Sequence, residues 1–137
     1  MSSIIDALNT TYGLDGKITF SENKGLVKLC AHTKFSTLDC YLHGAHITSF
    51  VINNTEDLLW LSPQAIYSKG KAIRGGIPIC WPWFGKHPSH SSLPQHGFAR
   101  NSIFEVKATK ELENGDLQIV LSLTSNEATM EVWPYHF

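Results

Sequence analysis

The chain has 137 residues, of which 42% are hydrophobic, 11% aromatic and 17% charged, the profile of one folded domain rather than of a disordered segment. Its 11 Lys and Arg against 12 Asp and Glu give a formal net charge of -1, so there is no basic field to hold a nucleic acid or an anionic membrane, and any anion has to be bound locally. No apolar run is long enough to cross a bilayer and Met1–Leu8 lacks the basic start of a secretory signal; a cytoplasmic location is therefore expected.

In chain order, Ser2 or Ser3 is placed to cap a short helix through Ile4, Ile5, Ala7 and Leu8 that ends before Gly13. The period then changes to two. Lys17–Ser21, Gly25–Ala31, Ser36–Leu42 and His46–Ile52 are strand-forming runs between polar or glycine-containing breaks, and together they predict a β meander. Leu61 to Arg100 is rich in Pro, Gly, Trp and His without clear periodicity, which predicts a long structured loop system of the kind that carries function. Ser102–Lys110 and Asp116–Thr124 predict a hairpin turning at Asn114-Gly115, with Leu117, Ile119, Leu121 and Leu123 on one face. A last strand is expected from near Ala128, with Phe137 falling in mid-strand. Residues 1–137 show no repeat and no linker composition, so they read as a single domain or part of one.

The chemistry-bearing residues concentrate in the loop system. Arg74 offers a forked guanidinium for a phosphate or carboxylate, and Gly75-Gly76 behind it is expected to let the backbone approach a ligand closely. Trp81, Trp83 and Phe84 are candidates for a wall against the apolar face of a sugar. Gln95 and His96 donate and accept hydrogen bonds, and Arg100 adds a second fixed positive charge, so this pattern suits a polyol bearing an anionic group. Taken alone, an Arg-Gly-Gly triplet or one loop histidine is more often structural than functional. The cysteines Cys30, Cys40 and Cys80 form no C-x-x-C pair and read as packed thiols rather than a disulfide framework or zinc site. Among the 7 histidines there is no metal-binding spacing: His43 and His46 are three apart where strand alternation would send them in different directions, and His87 and His90 flank Pro88. Neither a nucleophile elbow nor a phosphate loop of the Walker or dinucleotide type is present.

Read together, Trp60–Pro63, Gly70–Gly85 and Pro94–Arg100 closely resemble the glucose-6-phosphate 1-epimerase (hexose-6-phosphate mutarotase) branch of the aldose 1-epimerase superfamily, more weakly supported by Leu42–Phe50 and Trp133-Pro134. The resemblance implies a mainly β chain, an antiparallel β sandwich of the galactose-mutarotase type, of which residues 1–137 are expected to be an N-terminal, truncated part. It implies an isomerase that interconverts the α and β anomers of a hexose 6-phosphate by ring opening and closure, with no metal or other cofactor. Arg74 and Arg100 are then expected at the substrate phosphate, with Gln95 and His96 on sugar hydroxyls. The family's acid histidine and base glutamate stand on later strands, so no catalytic acid or base is carried over; neither His136 nor Glu105, Glu111, Glu113, Glu127 or Glu131 lies in a matching context. The alternatives are a non-catalytic sugar-phosphate-binding module and a small β-barrel metal enzyme built on the loop histidines.

Overall fold

The computed structural model describes residues 2–137. The chain runs α1 (Ser2–Tyr12), β1 (Ile18–Asn23), β2 (Leu26–His32), β3 (Ser36–Tyr41), β4 (His46–Ile52), a 3-10 turn (Ala99–Asn101), β5 (Glu105–Glu111), β6 (Leu117–Ser122) and α2 (Glu127–Val132). Strands β1 to β4 form one antiparallel sheet in sequence order, and β5 and β6 a second, two-stranded one. The meander and the hairpin thus appear where alternation placed them, with His46–Ile52 unchanged and no boundary moved by more than three residues.

Alternation explains how the sheets meet. Ile18, Phe20, Leu29, Ala31, Cys40 and Leu42 of the meander bury their side chains with Val106 of the hairpin, and Leu117, Ile119 and Leu121 pack against that cluster from β6. The apolar face of one sheet therefore closes on that of the other. The turns are sharp where the sequence permits positive φ: Lys24-Gly25 joins β1 to β2, and Gly115, at φ 84, closes the hairpin while its N–H donates to Leu112 O at 2.9 Å. Helix α1 adds Leu8 and Tyr12 to the core. It also covers the free edge of β1, because the Asn9 carboxamide accepts from Phe20 N and donates to Phe20 O, both at 2.8 Å. An edge strand satisfied in this way no longer offers those groups to another chain. Ser3 stands inside the first turn of α1 rather than ahead of it, and the Ser2 side chain lies outside the described residues.

The last predicted strand is replaced by a helix. Asn126 accepts from Thr129 N at 3.0 Å and Thr129 Oγ1 accepts from Asn126 N at 2.8 Å, a reciprocal cap that starts α2. After α2 the chain is irregular, and Phe137 packs edge-on against Trp81 with ring centroids 4.5 Å apart, so it is not in a strand. Cys30, Cys40 and Cys80 are free thiols, and burial pushes Cys40 up to about 12, which makes it an inert packing residue. Among the described residues, no helix is long and apolar enough to cross a membrane.

Candidate anion site

Two loop segments carry the predicted site residues, and a tight turn between β3 and β4 touches both. In that turn Gly44 and Ala45 take φ values of 79 and 44. Gly44 N donates to Ser102 O at 2.6 Å, and a Cβ on Gly44 would stand 2.7 Å from Arg100 O, so only glycine lets the turn lie this close to the second arginine segment. His43 and His46 are 2% and 0% exposed, and each directs Nε2 at a carbonyl of the first segment: His43 at Lys71 O, 2.7 Å, and His46 at Gly75 O, 2.6 Å. A carbonyl only accepts, so Nε2 carries the proton in both rings. Both Nδ1 atoms are buried without a partner. Burial pushes the His46 pKa below its ordinary 6.5; the charges of His43 and Arg100 act the same way, against the Gly75 hydrogen bond. The expectation that these two histidines diverge is therefore corrected: their rings reach one loop, on either side of Arg74.

That loop is stitched into the sheet. Arg74 O accepts from Ser62 N at 3.0 Å, Gly76 N donates to Trp60 O at 2.8 Å, and Ile77 N donates to Ile47 O at 2.8 Å. A Cβ on Gly75 would lie 2.6 Å from Trp60 O, and one on Gly76 2.2 Å from Ile47 O. The glycine pair thus serves close approach to the protein's own backbone, not to a ligand. Ile73 points inward against Leu26 and Tyr41, while the Arg74 side chain is exposed.

In the second segment, Trp81 O accepts from both Phe98 N (3.0 Å) and Ala99 N (3.1 Å). The 3-10 turn that follows presents Arg100, whose Nη2 donates to Gln95 O at 2.8 Å and whose Nε is buried without a partner. His96 adopts φ 65; its Nδ1 accepts from Gly85 N at 3.0 Å and its own N–H donates to Gly85 O at 2.8 Å, so the free ring nitrogen is a donor. The three rings proposed as a wall do not form one. Trp83 is buried with Nε1 bonded to Pro94 O, Trp81 packs against Phe98, Trp133 and Phe137, and Phe84 alone stays exposed, edge-on to His96 at 4.6 Å.

Arg74 and Arg100 meet in a cleft of about 300 Å³ that is also lined by Gln64, Ile66, Lys71, Ala72 and Asn101. The lining has three cations and no carboxylate, and none of the ion pairs among the described residues involves Lys71, Arg74 or Arg100. Such a surface attracts an anion, and the two guanidinium groups supply fixed donors for its oxygens. Gln95 and His96 are not in the lining: Gln95 is exposed and tied to Arg100 through its carbonyl, and His96 is held along Gly85. Lys71, Gln64 and Asn101 were missed as lining residues; the Lys69-Gly70-Lys71 cluster just before Arg74 was the available signal for the first. A larger recess, about 410 Å³ between α1 and the sheet, is mostly apolar and holds neither arginine. Among the described residues no three His, Cys, Asp or Glu side chains group to hold a metal ion.

The family model described as aldose 1-epimerase matches residues 26–137. Two proteins named "Putative glucose-6-phosphate 1-epimerase" are similar over 96 residues: one from Salmonella typhimurium at 46% identity and one from Escherichia coli K12 at 43%, each match covering 70% of this chain and 32% of the relative. The crystal structure of "a putative mutarotase (YeaD)" from Salmonella typhimurium superposes with a TM-score of 0.83 at 34% identity, over 97% of this chain and 45% of that one. The chain thus matches about a third of the length of these curated relatives, and its antiparallel sheets match the fold of the mutarotase structure.

Proposed function

This chain belongs to the aldose 1-epimerase family, and from that premise we propose that it recognises a hexose 6-phosphate, glucose 6-phosphate first, in the service of interconverting its α and β anomers. The observation that carries the reading is the meeting of Arg74 and Arg100, distant in sequence, in one carboxylate-free cleft with Lys71. A phosphate dianion seated there receives charge-assisted hydrogen bonds, and Gln64 and Asn101 add amide groups beside it. In this reading Gln95 and His96, a few residues before Arg100 in the chain and outside the cleft lining, supply an amide and a ring N–H to sugar hydroxyls that extend from the phosphate.

Anomer interconversion needs a base for the proton of the anomeric hydroxyl and an acid for the ring oxygen, with the two roles exchanged on closure. The cleft lining holds no carboxylate or imidazole for that exchange, so the residues placed here bind and orient; neither proton-transfer role is assigned to them. A tethered phosphate fixes the reacting end of the sugar relative to whatever groups perform the transfer, which is worth several powers of ten in rate when the geometry is right. The same cleft also serves the second reading, a module that binds sugar phosphate without turning it over. Exchange NMR on freshly dissolved α-glucose 6-phosphate separates the two. Acceleration over buffer that Arg74→Ala abolishes supports the isomerase, binding without acceleration supports the module, and neither binding nor acceleration rejects both.

A further inference from the structure

The turn His43–His46 contributes no side chain to the anion cleft, yet it touches both segments that build it. Its two imidazoles hold the carbonyls of Lys71 and Gly75, so the short stretch between those anchors, which ends in Arg74, has both backbone ends fixed. Its glycine lies against the backbone of Arg100 and bonds to Ser102. We infer that this turn is the positioning element of the anion site: His43 and His46 act through residues 71–75, and Gly44 through the backbone of Arg100, to set the separation of the two guanidinium groups.

Three observations make the turn more than packing. Full burial strengthens a hydrogen bond to a carbonyl and makes its loss costly, because water is not at hand to replace the donor. A methyl group on Gly76 would stand 3.1 Å from His46 Nε2, tighter than ordinary contact, so the glycine after the anchored carbonyl leaves the ring room to reach it. A core filled only for volume would favour apolar side chains here, whereas both rings leave a buried Nδ1 without a partner and still keep the Nε2 contact. The inference rests on the anion-binding reading for its consequence, but the brace itself is a property of the backbone and is testable without any ligand.

The test uses the full chain with His43→Leu, which removes the donor, and His43→Gln, which keeps an amide N–H. Amide hydrogen exchange is followed at Ser62, whose N–H reports on Arg74 O, and glucose 6-phosphate affinity is measured by NMR titration. In His43→Leu, exchange at Ser62 is expected to quicken and affinity to fall, each about tenfold, with the glutamine variant restoring most of both. A folded His43→Leu protein with unchanged Ser62 exchange overturns the brace. If the unsubstituted chain binds no sugar phosphate, the functional reading falls while Ser62 exchange still decides the brace. Should the leucine variant not fold, ring nitrogen spectra of the unsubstituted protein decide: long-lived Nε2–H signals from both histidines, slowed further by glucose 6-phosphate, support the brace, and their absence overturns it.

Discussion

Residues 18–52 and residues 60–101 keep their shapes by different means. In the meander, alternate side chains such as Ile18, Phe20 and Leu29 are buried together, and many contacts share the work. In the loop system there is almost no regular ladder; single carbonyls of Trp60, Arg74, Trp81 and Gly85 are met by particular N–H groups, and Gly75, Gly76 and Gly97 stand where a methyl group would collide. The first region should tolerate substitutions that keep apolar volume, while the second should fail at single atoms. It is the second region that presents Arg74 and Arg100.

The largest effect that sharpens this contrast is expected at Gly97, where an added Cβ would lie 1.9 Å from Trp81 O at a φ of 74. Gly97→Ala should destabilise by more than about 4 kcal/mol in urea unfolding, beyond the ordinary range for one methyl group. In the meander, Leu29→Ala removes a fully buried side chain and should cost about 3 kcal/mol, whereas Leu29→Met should cost less than about 1.5. Gly115→Ala is the control for backbone strain without collision: its φ is 84 but nothing lies within 4 Å, and a loss of about 1 kcal/mol is expected. A Gly97 variant no worse than the Gly115 variant would break the comparison.

The smallest effect is in pH. Because burial lowers the folded-state pKa of His46, the unfolded chain binds its proton first as pH falls below 6.5. Stability is therefore full above that value and declines below it until the folded-state pKa is reached, with a slope of at most about 1.4 kcal/mol per pH unit for one proton. Unfolding curves from pH 7.5 to 5 check the sign; His46→Gln should flatten this part of the profile.

The same division decides what was legible beforehand. Period-two alternation is repeated many times along a strand, so β1 to β6 were readable to within a few residues, and so was the turn at Gly115. Helix α2 was lost because Thr129, Val132 and Trp133 have strand-like propensities; Asn126 followed three residues later by Thr129 was the capping signal that outweighed them. In the loop system, residue chemistry pointed to Arg74 and Arg100, which the fold brings together, but the purpose of Gly75-Gly76 was misread. Nothing local says whether a glycine faces ligand or protein; that depends on Ile47 and Trp60, distant in sequence. The role of His43 and His46 was hidden for the same reason, since their partners lie in the first arginine segment.

The central claim, that the cleft shared by Arg74 and Arg100 binds a sugar's phosphate, is tested most directly by titrating the full chain with glucose 6-phosphate and with glucose. The account predicts binding of the phosphorylated sugar, little or none of glucose, and a loss of about a hundredfold in Arg74→Ala without loss of stability. Equal affinity for the two sugars, or a glucose 6-phosphate affinity indifferent to Arg74, would contradict it.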